Sequence, residues 1–533
     1  MNKYLKYNVV CLLGASLLAG SGCKKILEPD PKALTVDVLY SDFPGSMAGI
    51  NAIYSPLTSL YRGGNSAGDW LQIDEASDDV MDNPLGVGNL PNAIDYFTLA
   101  ADNGTTFNIW DGFYRIIYRA NVAIDRLAPI TFPARLAANT ATGLSFKDQF
   151  IGEAKFLRAF SYFNLVRAFG GVPIHVKEIK AASEVNKPRA SVEAVYAQIE
   201  ADLADAIAKL PGTGFGSGAA GNERGRANKW SAMALLADVY LTQKKYDLAK
   251  STALAVINNN GGKALNDNYV DNFPARNVAN STTTLGSENT KESLFEIQFT
   301  SNNSLPTANV PTANNFSAAM GPAGIIASPT QGGGGLQGYR PTDANPNNPF
   351  KESTLTSGIL QQYAAGDLRK DVNFSNAGNF NGVPIPLTHK YYENRGVAGN
   401  GNFPVYRLAE MYLIYAEATN EATGPDGTSI EYVNKIRRRA FGLPFNTPNA
   451  SVDLISSIGK TAFQEEIRQE RRRELAMENK RWFDLVRYGF DYAKDALVTK
   501  QGRDLFNQNK MLFPIAAIEF VNNPNLGSQN PGY

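Results

Sequence analysis

Apolar residues recur every three or four positions from about residue 46 to 258 and again after 404, the period of helices that bury one face. Within 108–127, Trp110, Phe113, Tyr114, Ile117, Ile124 and Leu127 keep that spacing. Ser145 stands where a helix N-cap is expected, with Asp148 three residues on to complement the positive helix end. Phe156, Phe160 and Phe163 then form a stripe that Gly170-Gly171-Val172-Pro173 should stop. Ser191 caps a further helix, in which Val192, Val195, Ile199, Leu203, Ile207 and Leu210 step inward until Pro211-Gly212. Between 227 and 257, Leu236, Ala237 and Tyr240 precede a break at Gln243-Lys244, and Tyr246 and Ala249 follow it. Small residues facing aromatics at these offsets let two antiparallel helices nest, as in a tetratricopeptide pair, with Met233 and Ala237 replacing the consensus tryptophan and glycine. One pair cannot bury its own face, so degenerate partners are expected.

Between the helical ends the composition changes. Residues 259–349 are rich in Asn, Ser, Thr, Gly and Pro, including glycines 332–335 and the run Asn345-Pro346-Asn347-Asn348-Pro349. Only 293–300 reads as strand. An irregular span of this length is expected to be functional rather than connective. Helices resume at 404–422, 429–440 and 462–488, and a Pro- and Asn-rich tail closes the chain.

The N-terminus bears on location. Lys3 and Lys6 precede a short apolar run, 9–19, and Gly20, Ser21 and Gly22 lead into Cys23. The run is too short to span a bilayer and has the form of a secretory signal. A cysteine at its end points to acylation at Cys23, although Gly20 occupies the position where a lipobox usually has leucine. The chain has two cysteines, and Cys11 lies in the segment to be removed, so the mature protein has no intramolecular disulfide. With 43% hydrophobic residues it can build a large core by packing alone. Equal counts of 51 basic and 51 acidic residues give no general electrostatic reason to bind nucleic acid or an anionic lipid surface. Acyl chains would supply membrane attachment. The expected organisation is a signal peptide at 1–22, a lipidated tether at 23–45, a helical part with tetratricopeptide-like repeats at 46–258, an irregular binding region at 259–403 and a second helical part at 404–533.

Several stretches are more specific than periodicity. Glu153-Ala154-Lys155-Phe156-Leu157-Arg158-Ala159 runs through Tyr162-Phe163 to Gly170-Gly171-Val172-Pro173. Tyr406-Arg407-Leu408-Ala409-Glu410-Met411-Tyr412-Leu413 continues into Tyr415-Ala416-Glu417-Ala418. Arg471-Arg472-Arg473-Glu474-Leu475 is followed by Arg481-Trp482-Phe483-Asp484-Leu485-Val486-Arg487, and the end carries Phe513-Pro514-Ile515 and Gln529-Asn530-Pro531-Gly532-Tyr533. Together these resemble the SusD/RagB family of nutrient-binding outer-membrane lipoproteins, over nearly the whole mature chain. The resemblance implies a mostly α fold with tetratricopeptide-like helix pairs and a loop-rich ligand side with a few short strands. It also implies a partner, a SusC-type TonB-dependent transporter, and a ligand that is an oligosaccharide or, in some members, a peptide. Only Cys23, as the lipidation site, carries over by position.

The motif charges read as scaffold. Glu153, Arg158, Glu410 and Glu417 lie among apolar helical positions and are expected in buried ion pairs. The arginines from 471 interleave with Glu470, Glu474 and Glu478, which predicts a self-neutralised helix rather than a nucleic-acid patch.

Chemistry-bearing motifs lack their contexts. Gly64-Asn65-Ser66-Ala67-Gly68 matches a nucleophile elbow, but a helix precedes it where a strand is needed, and the chain has only His175 and His389 as bases. Gly216, Gly218 and Gly221 follow a helix stop, not a strand, so a dinucleotide loop is not indicated. Asp78, Asp79 and Asp82 cluster without EF-hand spacing and are better read as hydrogen-bonding groups than as calcium ligands. No catalytic residue, metal or cofactor is therefore expected. A saccharide site needs flat aromatic faces with amides, carboxylates and guanidinium groups around them. Two regions hold that mixture: Trp70, Asp82, Asn83, Tyr96 and Phe97, and in the irregular middle Phe316, Gln337, Tyr339 and Arg340. The expected function is a surface lipoprotein of the outer membrane that captures oligosaccharide for a SusC-type transporter. The same scaffold binding peptides, or a protein-binding repeat adaptor, are the alternatives.

Overall fold

The computed structural model describes residues 35–62, 69–81, 93–136, 143–212, 225–259, 261–273, 276–277, 284–285, 288–299, 338–339, 358–380, 383–388, 390–391 and 401–533. Ten longer helices carry the architecture: α1 (Phe43–Tyr61), α2 (Gly104–Leu127), α3 (Phe146–Phe169), α4 (Val192–Lys209), α5 (Lys229–Thr242), α6 (Tyr246–Asn259), α7 (Leu408–Thr423), α8 (Gly427–Ala440), α9 (Lys460–Glu474) and α10 (Arg481–Tyr488). Their starts follow the sequence closely. The Ser145 hydroxyl accepts from the Asp148 amide at the head of α3, and Ser191 does the same for Ala194 at the head of α4. Asn228 with Ser231, and Asp426 with Ser429, form reciprocal capping boxes on α5 and α8. Gly170, with φ of 74°, ends α3 where a side chain would be strained.

Each helix from α1 to α6 packs on the next, and α5 and α6 form the nested pair expected between 227 and 257. Lys244, at φ 60°, makes the sharp turn between them. The stack does not stop at residue 259. α6 packs on α7, and α7 packs on α8 and α9, so helices from both ends of the chain build one continuous mass. The fold is mostly α-helical. Among the described residues, no helix is long and apolar enough to cross a membrane.

α3 lies at the centre. Its phenylalanines do not form a single stripe: Phe156 meets Phe295 edge-on at 5.0 Å on one side, and Phe163 meets Tyr196 of α4 at 6.4 Å on another. The helix is buried on nearly all sides, with Gln149, Glu153, Arg158 and Asn164 among its buried residues, which blurs any one-face pattern.

Three element expectations need correction. Residues 403–407 are not helical; they form strand β8 (Phe403–Arg407), antiparallel to β4 (Ser293–Ile297), with Ile297 opposite Phe403 and Ser293 opposite Arg407. Every residue of both strands is buried, so the alternation that marks a half-exposed strand is missing. The helix expected at 462–488 is two helices. The chain breaks at 475–480, where Met477 and Asn479 adopt φ of 61° and 56°.

The irregular middle also holds more strand than expected. β6 (Phe374–Phe380) and β7 (Val383–Thr388) pair antiparallel, and the Asn381-Gly382 between them in the sequence is a strong hairpin signal that Pro384 and Pro386 obscured. They extend a four-stranded sheet, in the order β1 (Val80–Met81), β5 (Gly338–Tyr339), β7, β6. A further small pair joins β2 (Arg276–Asn277) and β3 (Thr284–Leu285).

Candidate ligand-binding platform

A buried network of charges holds the C-terminal motifs together. Arg407, at the end of β8, donates to Glu292 and Glu474 at 2.9 Å each and to Glu478 at 2.7 Å. Arg369 reaches Asp367 at 2.7 Å and Glu470 at 2.6 Å, and Arg439 pairs with Glu292 and Glu474. Lys390 donates to Glu478 at 2.6 Å. Burial raises the Glu470 carboxyl, but Arg369, Arg473 and Arg437 outweigh it and hold the group down at about 2. Burial lowers Lys390, against the pull of Glu478, to about 8. The arginine-rich helix thus neutralises itself only in part. Arg473 pairs with Glu470 one turn away, whereas Glu474 faces arginines from three other segments. The expected buried pairs of the other motifs are present: Arg158 with Asp202 at 2.6 Å, Glu410 with Lys480 at 2.9 Å, and Glu417 with Arg487 at 2.7 Å. Glu153 accepts from the Tyr54 hydroxyl at 2.7 Å.

From the same part of the chain, side chains reach across to residues 74–97. Arg472 donates to Asp79 at 2.6 Å, and Arg481 grips both oxygens of Asp78 at 2.7 and 3.0 Å. Gln501 donates to the Asp78 carbonyl at 2.7 Å. Arg503 donates to the carbonyls of Glu75, Ala76 and Ser77 at 3.1, 2.9 and 2.8 Å and also to that of Asp95, so it pins 75–77 beside 95. Its guanidinium lies 4.3 Å above the Phe97 ring. Burial pulls Arg503 down to about 9. Burial and the neighbouring Asp79 push Asp74 up to about 7. Burial also raises Asp79, to about 6, despite Arg472. Asp78 is buried too, but Arg472 and Arg481 together hold it below the usual carboxylate range. Asp78 and Asp79 therefore commit oxygens to arginines; Asp82 lies outside the described residues.

This clamp sets the start of β1, which follows it directly. Val80 sits opposite Tyr339 and Met81 opposite Gly338, while Gly338 also faces Leu387 of β7. Two-residue strands taken from the two regions singled out as saccharide-like in composition, Val80–Met81 and Gly338–Tyr339, thus lie side by side in one sheet.

The individual candidates divide. Trp70 is not at a surface: it is 2% exposed, stacked 5.4 Å from Phe483 and edge-on to Phe113 at 4.9 Å. Phe97 is also in the core, 5% exposed, with φ of 56° and its ring 5.0 Å from Phe506. Both are corrections, and the cause is the same. α10 and the segment after it pack apolar rings onto 70–97 from the far end of the chain, which local pattern does not reveal. Tyr96 is 49% exposed beside the clamped Asp95. Tyr339 lies in β5. Cys23, Asp82, Asn83, Phe316, Gln337 and Arg340 lie outside the described residues, as do Gly64-Asn65-Ser66-Ala67-Gly68, His389 and the glycines at 216, 218 and 221. His175 is buried with its backbone amide donating to Tyr162, and burial with Lys187 nearby lowers its ring to about 4. The clamp residues Arg472, Arg481, Gln501 and Arg503 were not among the candidates. Two of them sit in the motifs quoted above; for Gln501 and Arg503 no sequence signal stands out.

Comparison with known proteins bears on the family and the fold. Residues 369–533 match the model of the SusD family, and residues 66–241 match a family described as starch-binding associating with outer membrane. SusD-like protein P2 of Formosa agariphila is 28% identical, over 99% of this chain and 100% of its own. A laminarin binding SusD-like protein superposes with a TM-score of 0.69 at 26% identity, covering 93% of this chain and 100% of that one. A SusD homolog from Bacteroides thetaiotaomicron gives a TM-score of 0.71 at 19% identity over 96% of this chain and 100% of that one, a likeness of fold alone. Motifs, helical stack and matches across both halves converge on one conclusion: the chain is SusD-like in sequence and in fold.

Proposed function

We propose that this protein is a glycan-binding lipoprotein of the outer-membrane surface, anchored through Cys23, that captures oligosaccharide without altering it and passes it to a SusC-type TonB-dependent transporter. The observation that carries the reading is the pairing of β1 with β5, which joins two stretches rich in aromatics and amides on a sheet held by the arginine clamp. Residues 82–97 and 337–340 are then the contact segments, with Tyr96 and Tyr339 as ring platforms and Asp82, Asn83, Gln337 and Arg340 as hydroxyl partners. The description of the family matched by residues 66–241, and the ligand named for the laminarin binding relative, support glycan over peptide. The test is affinity electrophoresis of the purified protein through gels containing laminarin, starch or other glucans, beside binding to a peptide mixture. Retardation by at least one glycan is expected. Retention by peptides alone, with no glycan slowing the protein, contradicts the proposal.

A further inference from the structure

A second concavity, built from different elements, lies between α1, the Gly225-Arg226 turn and strand β4. It holds about 240 Å³, below the ~300 Å³ where drug-sized pockets begin. Leu57, Phe295 and Ile297 supply apolar wall, and Asn51, Ser55, Thr58 and Gln298 supply amides and hydroxyls. Two of these hydroxyls keep spare hydrogen-bonding capacity. Thr58 donates its proton to the Ser55 carbonyl at 2.8 Å, which leaves its oxygen able to accept. The Ser55 hydroxyl makes no hydrogen bond to another described residue.

Two ionisable side chains of opposite sign border the space, and each has polar partners of its own. Arg226 donates to Asn51 and lies 3.4 Å from Glu153. Glu296 accepts from the Asn289 amide and from Asn402, each at 3.0 Å. An anion entering here meets Glu296 and a cation meets Arg226, so a neutral guest is favoured. The rim depends on a glycine: Gly225 has φ of 90°, and a Cβ there would lie 2.2 Å from the Gln298 side chain. A lining that mixes apolar side chains with hydroxyls and amides suits a ring with C–H faces and a polar edge.

We propose that this cavity binds a single neutral polyhydroxylated ring of about hexose size, at a site separate from the four-stranded sheet. The test is a titration of the full chain in detergent with methyl glucoside and methyl galactoside, followed by saturation-transfer NMR. Wild type should bind at least one of them saturably. Ser55→Ala/Thr58→Val should weaken that binding about tenfold, or ~1.4 kcal/mol, and Asn51→Ala should weaken it as well, with melting temperatures and polysaccharide retention kept. Absence of saturable binding to wild type, or binding that survives both variants unchanged, overturns the proposal. Polysaccharide retention in that same sample would leave the reading of the sheet standing.

Discussion

The Arg472 guanidinium donates to the Asp79 carboxylate at 2.6 Å, joining residues 393 positions apart immediately before the strand that starts the candidate platform. Both side chains are almost wholly buried. Removing one partner leaves a buried charge without its match, which costs about 3–5 kcal/mol. Arg472→Met should therefore lower the thermal midpoint strongly in a denaturation experiment. Arg472→Met/Asp79→Leu should recover part of the loss, because the orphaned carboxylate is gone.

Arg503 acts on position rather than on ligand. One guanidinium serves four carbonyls from two segments, which a lysine ammonium cannot copy. Arg503→Lys should cost about 1–3 kcal/mol of stability through carbonyls left unpaired. It should also speed amide exchange at 75–81 and 93–97 more than in α4 or α8. Equal effects across the molecule would argue against a clamp.

Two aromatic candidates should part company. Trp70→Ala empties a core position and should cost about 3–5 kcal/mol. Its effect on glycan affinity should follow unfolding alone. Tyr96→Ala removes an exposed ring and should change stability by no more than about 0.5 kcal/mol. It should nonetheless weaken glycan binding about tenfold, or ~1.4 kcal/mol. Calorimetric titration with melting curves on both variants separates the cases.

Asp74 gives a pH dependence with a definite sign. Burial, and then Asp79, raise its carboxyl from 3.8 to about 7. The folded protein therefore keeps a proton that the unfolded chain has already released. The stabilisation is complete below about pH 4 and is lost as the pH rises through about 7. The amide of Asp74→Asn has no proton to lose. Its melting temperature relative to wild type should climb between pH 4 and 7 and then level off, by up to about 4 kcal/mol in stability terms. Measuring the difference removes His175, whose lowered ring acts in the opposite direction over that range. A flat difference contradicts the assignment.

Helix starts were legible because a cap is a local device: Ser145 and Ser191 announce α3 and α4 by themselves. The family motifs were legible for the same reason, as contiguous words such as Arg471-Arg472-Arg473-Glu474. Strand β8 was not, because burial on both faces removes alternation, and a short apolar run directly before a helix then reads as part of that helix. Trp70 and Phe97 looked like binding rings because their composition is right. What encloses them, α10 and the residues around Phe506, arrives from the other end of the chain. The juxtaposition of 80–81 with 338–339 has no local sign at all. It follows from a pairing that only the assembled sheet reveals.

The most direct measurement is hydrogen–deuterium exchange of the full chain with and without a glycan that retards it in a gel. Slowed exchange is predicted in peptides spanning 80–97 and 337–340, with the helical stack from α3 to α6 unchanged. Protection confined to the helices, with both of those peptides unaffected at saturating glycan, would contradict the account.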